Sequence, residues 1–353
     1  MQRKATALDV AKRAGVSRSA VSLVLNGRGD GNVAKESQDR IRQAAADLNY
    51  SPNPIALSLR NQRTRVIGIV SDEVVVSPFD GNIIGGADDV ARAHGFVTVV
   101  MDTERDASRD ESAVETLLDR QVDGLMYVTV GLKPLDVPQG MLRVPSVLAN
   151  CFDNSPEPQL RHVIPDEVSG GREATEHLLQ LGHRDIAFLA GAATSPAVPL
   201  RVVGHREAMA KAAIPVREDR VFMAGWDIND GFHGAMGLLS ATDRPTAIVC
   251  ANDRLAIGVA LAAARLGLAV PRDLSIMGYD DESRIAATMV PALTTMALPL
   301  REMGAAAMSM LLEQIEDPER VQRPTSGGGT GHLETMVPCR LVVRESTGPV
   351  PAL

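Results

Sequence analysis

From residue 66 onward the chain alternates short β-branched runs with segments of helical period, in two consecutive series. Val66-Ile-Gly-Ile-Val70 reads as a buried strand, followed by helix at 82–94, strand Val97–Met101, helix at 108–120 and strands Gly124–Val128 and Ser146–Leu148. The second series reads helix 168–181, strand Ile186–Leu189, helix 201–212, strand Val221–Met223, helix 229–239, strand Ala247–Cys250, helix Arg254–Leu266 and strand Leu274–Met277. Strand Leu293–Met296, helix Leu300–Ile315, a Gly/Pro-rich loop at 321–332 and strand Leu341–Val343 close the chain. Buried strands separated by amphipathic helices pair in parallel through crossovers. The expected architecture is α/β: two doubly wound parallel sheets with a cleft between them.

The first 50 residues lack that alternation and read as all-α. Thr6 can cap a helix with Asp9 in its first turn, and Leu8, Val10, Ala11 and Ala14 repeat at helical spacing. Gly15 stops that helix, since glycine enters the left-handed region without steric cost. Ser17 can cap a second helix with Ala20, Val21, Val24 and Leu25 on its apolar face and Arg18, Ser19, Ser22 and Asn26 opposite. Two short helices around a tight glycine turn are the pattern of a DNA-binding helix-turn-helix, whose second helix enters the major groove. Gly27–Asn32 reads as a flexible, turn-rich loop, and 35–48 as a third helix with Ile41, Ala44, Ala45 and Leu48 on one face. Pro52 and Pro54 end this domain; 55–59 is a short helical stretch, followed by a basic linker.

Charge separates the same two regions. Residues 1–63 carry 11 Lys+Arg and 5 Asp+Glu, a net of +6, and the rest carry 25 and 39, a net of −14, giving −8 overall. A basic head on an acidic body concentrates the polyanion-binding surface in one place. Cys151, Cys250 and Cys339 fit neither a disulfide framework nor a metal cluster, and are expected as buried free thiols in a reducing cytoplasm. No apolar stretch is long enough for a membrane span and no signal peptide is visible. The nucleotide, esterase and zinc-protease motifs of doubly wound enzymes are missing, and the Gly-rich run 327–331 has no helix after it. No cofactor, metal or catalytic residue is expected. The competing class, an α/β enzyme or a plain binding protein, leaves the basic head unexplained.

Asp9-Val-Ala-x-x-Ala-Gly-Val-Ser17, Val21-Ser22, Val24-Leu25-Asn26, Leu48-Asn-Tyr-x-Pro-Asn53, Ser58-Leu59-Arg60 and, far downstream, Arg340-Leu-Val-Val-Arg-Glu-Ser346 resemble the lactose-repressor (LacI) family of bacterial transcription regulators. The resemblance covers nearly the whole chain. It implies a repressor that binds a near-palindromic operator as a homodimer, under allosteric control by a small-molecule effector, a sugar foremost. It implies a helix-turn-helix over 1–50, a hinge helix and linker over 51–63, and a two-lobed effector domain, like periplasmic sugar-binding proteins, over 64–353. The lobes would hold about 64–162 with 294–322, and about 163–291 with 325–345.

Carried over position by position, Arg18 and Ser19 read bases. Thr6, Ser17, Ser22, Asn26 and Tyr50 fit phosphate contacts, and Leu59 matches the hinge leucine that wedges into the minor groove. Leu23, Asn32 and Asn53 complete the DNA-binding set. Two departures bear on the operator: Leu23 replaces the usual arginine, and the 27–32 loop is about two residues longer than in the lactose repressor. For the effector, Arg201, Asn252, Asp280 and Asn150 match contacting positions, and Trp226 one that stacks on a sugar face. Ser71, Asp72 and Phe79 are weaker candidates. Leu298 stands where sugar-binding members often carry glutamine, leaving that wall less polar.

Overall fold

The computed structural model describes residues 5–50, 63–74, 77, 81–282, 284–317 and 333–350. Of the hinge and linker expected over 51–63, residues 51–62, with Asn53 and Leu59, lie outside them, as do Phe79 and 318–332. The chain divides between Arg65 and Val66.

The first unit has three helices: α1 (Ala7–Ala14), α2 (Arg18–Leu25) and α3 (Lys35–Asp47). Thr6 and Asp9 form a reciprocal capping box on α1, and Gly15 ends it at φ 66°. Val10, Ala11, Ala14, Val21, Val24, Ile41, Ala44 and Ala45 form its core. Leu8, placed on the apolar face by periodicity, is instead 50% exposed: in the first turn of α1, it lies outside the head core.

The second unit holds β1 (Val66–Ser71), α4 (Gly81–Ala93), β2 (Val97–Asp102), α5 (Ala107–Asp119), β3 (Gly124–Leu135), β4 (Ser146–Asp153), β5 (Arg161–Asp166), α6 (Glu167–Gln180), β6 (Ile186–Ala190), α7 (Ala197–Lys211), β7 (Val221–Met223), α8 (Ile228–Ser240), β8 (Ala247–Cys250), α9 (Asp253–Arg265), β9 (Ser275–Asp280), β10 (Thr294–Ala297), α10 (Leu300–Glu316), β11 (Glu334–Pro338) and β12 (Arg340–Val342). One sheet has the order β11-β5-β4-β3-β1-β2, the other β12-β10-β9-β8-β6-β7. In each series the first strand lies between the second and the third, so each sheet reverses its winding once, between β1 and β3 and between β6 and β8. Ligand crevices of open α/β sheets lie at the carboxyl ends of strands at such switch points.

Three expectations change here. β10, placed with 294–322 in the first lobe, belongs to the second sheet: Thr294 and Thr295 pair in register with Met277 and Gly278. β11, placed with 325–345 in the second lobe, pairs with β5 in the first. The chain therefore crosses between lobes after Asp166, after Ala297 and at Cys339. The second sheet is also not wholly parallel, because β12 runs antiparallel to β10. Topology dictates this: β11 leaves the first sheet at its carboxyl edge, so the chain meets the second sheet at the carboxyl ends of its strands. Among the described residues no helix is long and apolar enough to cross a membrane.

Candidate DNA-reading surface and effector cleft

In the head, Ser17 accepts the Ala20 amide at 3.1 Å, so α2 begins with its first residues outward. Ser17, Arg18 and Ser19 are exposed, while Ser22, Leu23 and Asn26 are half-buried. The Asn26 amide folds back on the Ser22 carbonyl (2.6 Å) and hydroxyl (3.2 Å). Thr6 is exposed, its hydroxyl donating to Asp9 at 2.7 Å, and Tyr50 is half-buried against the head core. Exposed Asn32 donates to the Arg28 carbonyl at 3.1 Å.

The loop after α2 differs from the flexible one expected. Gly27 at φ 72° donates to Val24 O and Arg28 to Leu23 O, the paired bonds of a Schellman motif. Gly29 is buried against the side chain of Gln38, which donates to Asp30 Oδ1 at 3.1 Å and Val33 O at 3.0 Å. The turn is thus closed by its own backbone and tied to α3.

In the body, the polar candidates gather at the carboxyl ends of both sheets. In the first lobe, Ser71 is buried and accepts the Val74 amide at 2.8 Å. Asp72 is buried too; it accepts the Val130 amide at 2.7 Å and pairs with Lys133. Asn150, at φ 60°, donates to Thr129 O at 3.1 Å while Thr129 returns a bond to Asn150 O. Together these contacts hold a bulge in β3, where Val128 pairs with Ala149 but Lys133 with Cys151. The bulge presents Leu132, which packs with Phe152 and Ile164 against Ala197 and Leu200 of α7, so the lobes meet here.

In the second lobe, Asn252 caps α9 by accepting the Leu255 amide at 2.8 Å and donates to Trp226 O at 3.0 Å. Trp226 is half-buried and lies over Gly191, where a Cβ would stand 2.3 Å from the ring. Only glycine admits the indole at that approach. Asp280 is half-buried at the end of β9, at φ 108°. Leu298 packs on the cores of both lobes.

Arg201 was expected to open α7. The helix starts at Ala197, which puts Arg201 in its second turn, facing inward and 3% exposed. Its Nε and Nη2 donate to Glu167 at 2.7 and 2.8 Å, Nη1 donates to Ala251 O, and the guanidinium lies 3.7 Å from the centre of the Tyr279 ring. Tyr279 in turn donates to Glu167 at 2.9 Å, and its hydroxyl oxygen lies 3.3 Å from Cys339 Sγ. Burial works against the Arg201 charge, and the Glu167 carboxylate more than reverses this, so its pKa is raised. Burial, then Glu167, pushes the Tyr279 phenol up. Burial likewise lifts the Cys339 thiol to about 12. All three cysteines are buried and free.

Asp253 sits below Asn252 and is 1% exposed. It accepts Thr295 Oγ1 at 2.6 Å and the Glu282 amide at 2.7 Å. Burial raises its pKa from 3.8 to about 7, against the pull of those two donors.

The structure thus brings Trp226, Asn252 and Asp280 to the carboxyl ends of β7, β8 and β9, with Arg201 of α7 against Ala251, and Ser71, Asp72 and Asn150 to the carboxyl ends of the first sheet. Sequence reasoning missed Glu167, Lys133 and Gly191. Glu167 is the first residue of a helix, where an acidic side chain passes for dipole complementarity, and its partner lies 34 residues away. Gly191, directly after strand β6 at a switch point, offered a usable signal.

Comparison with known proteins agrees with these two units. Residues 6–53 match the family model for bacterial regulatory proteins, lacI family, and residues 175–347 the model for a periplasmic binding protein-like domain. The HTH-type transcriptional regulator DegA of Bacillus subtilis is 32% identical over 350 residues, 98% of this chain and 99% of DegA. The ribose operon repressor of Haemophilus influenzae is 30% identical over 90% of this chain and 94% of its own. Among solved structures, the lac repressor dimer bound to operator and the anti-inducer ONPF superposes with a TM-score of 0.77 at 28% identity, covering 98% of this chain and all of that one.

Proposed function

The chain belongs to the lacI family of bacterial regulatory proteins, DNA-binding transcriptional regulators with an effector-binding domain, and on that premise we propose how its parts divide the work. The head reads an operator as one half of a dimer in the cytoplasm. Arg18 and Ser19 contact base edges. Ser17, Ser22, Asn26, Thr6, Tyr50 and Asn32 set the register on phosphates. Leu23 offers an apolar contact to a thymine methyl, and Leu59 with Asn53 acts at the hinge. The body binds a neutral sugar between the lobes, which biases the lobe arrangement and so the DNA affinity.

One observation carries the sugar reading: the cleft's strong charges are already matched internally, Arg201 by Glu167 and Lys133 by Asp72. At the strand ends stand the half-buried ring of Trp226, a stacking surface, and the half-buried Asp280, a hydroxyl acceptor. Asn252 and Asn150 hold the frame around them. The name of the ribose operon repressor points the same way.

The test is a thermal-shift screen of neutral sugars, sugar phosphates and nucleobases, followed by gel shifts on genomic fragments with each hit. A neutral sugar should raise the melting temperature and change DNA retention. Stabilisation by nucleobases alone would refute the sugar assignment. Asp280→Ala should abolish the effector response and leave operator affinity within about twofold. A normal titration in that variant would remove Asp280 from the site.

A further inference from the structure

We propose that Arg28, in the closed turn after α2, is a phosphate clamp that fixes the far end of the recognition helix on DNA; this rests on the operator-binding reading of the head. The five arginines within residues 5–50 fall into two groups. Arg13 is held by Asp47 at 2.7 Å, Arg40 by Ser37 at 3.1 Å, and Arg42 by Gln38 at 3.0 Å and Asp39 at 3.3 Å. Arg18 and Arg28 are exposed, and no acceptor among the described residues holds either guanidinium. These two bracket α2: Arg18 is its first residue, and Arg28 donates its backbone N–H to Leu23 O in the last turn.

Position follows from the turn rather than from side-chain chance. The Schellman bonds fix Arg28 on the end of the helix, and buried Gly29 against Gln38 fixes the chain beyond it. Asp30, the nearest acid in sequence, accepts from Gln38. The helix has 8 residues, about 12 Å at about 1.5 Å per residue. Arg28 therefore stands too far from the base-reading end to share its base edges, and a cation there suits the flanking phosphates. A guanidinium fork suits a phosphate bidentately, and a cation at a helix C-terminus complements its dipole.

The experiment measures binding of the full chain to a fixed 30-base-pair random-sequence duplex and to a genomic fragment selected by the wild type, from 50 to 200 mM KCl. Arg28→Ala should lower the slope of log K against log salt by about 1 per head, equally on both duplexes. Arg28→Lys should restore most of the slope. The bound turn uses only the backbone of Arg28, so the melting temperature should not move. An unchanged slope, or a loss confined to one base pair of the selected fragment, would overturn the clamp. Arg18→Ala, run alongside, should lose discrimination between the duplexes. If the wild type itself fails to discriminate, the operator reading falls and the clamp with it. If the wild type discriminates and Arg28→Ala matches it, only the clamp falls.

Discussion

The head and the body treat charge in opposite ways. In the head a core of eight side chains suffices to hold three helices, and Arg18 and Arg28 are left on the surface with their hydrogen-bonding capacity unspent. In the body, Arg201, Glu167, Tyr279 and Asp253 are buried, each closed on partners far away in sequence, with Tyr279 and Glu167 separated by 112 residues. The contrast separates two kinds of site. A surface that recognises a fixed polyanion keeps its cations exposed. The body instead buries its charges in pairs, Arg201 with Glu167 and Asp72 with Lys133, as a cleft for neutral molecules, the reading proposed above, would require.

The largest effect should come from unpairing the body. Glu167→Ala strands a buried guanidinium and should cost about 3–5 kcal/mol of the body's unfolding free energy in urea. A loss under 1 kcal/mol would mean that water reaches Arg201 freely. Next is Asp253. Its folded pKa of about 7 lies above the unfolded value near 3.8, so the stability it contributes is complete below about pH 4 and is lost as pH rises through about 7. Relative to Asp253→Asn, the wild type should lose up to a few kcal/mol between pH 4 and 8. Parallel profiles for the two proteins would dismiss that linkage. Arg18→Ala should weaken specific DNA binding by about 1–3 kcal/mol while leaving stability within about 0.5 kcal/mol. Uniform weakening on every duplex would make Arg18 a phosphate contact only. Smallest is Thr6→Ala, which removes the α1 cap and should cost the head about 1 kcal/mol; calorimetry that separates the two units checks it.

The head was legible almost residue by residue because its signals are local. Caps, a glycine stop and a helical period act within four positions, and the turn 27–33 misled only because its ties run to Gln38. Alternation likewise located most strands and helices of the body. It did not find β5, where Pro165 interrupts a short run, or β11, whose half-buried and exposed residues alternate at a sheet edge. Lobe membership was misjudged at β10 because a strand's sheet is decided by its neighbour's register, which no local pattern encodes. The cleft was legible as positions, Asn252 and Asp280 standing at strand ends as anticipated and Arg201 one turn further into its helix, but not as chemistry. That Arg201 is engaged by Glu167 follows from three-dimensional proximity alone.

Trp226 is the single tryptophan of the chain, and it lies flat over Gly191 beside the strand ends. Its emission therefore comes from one location and needs no deconvolution. A molecule settling onto the indole would alter its intensity or wavelength directly, whereas events on the DNA side would leave the spectrum unaltered unless the lobes themselves rearranged. The unlabelled protein is thus its own optical probe, one able to time ligand arrival separately from DNA release in a stopped-flow trace.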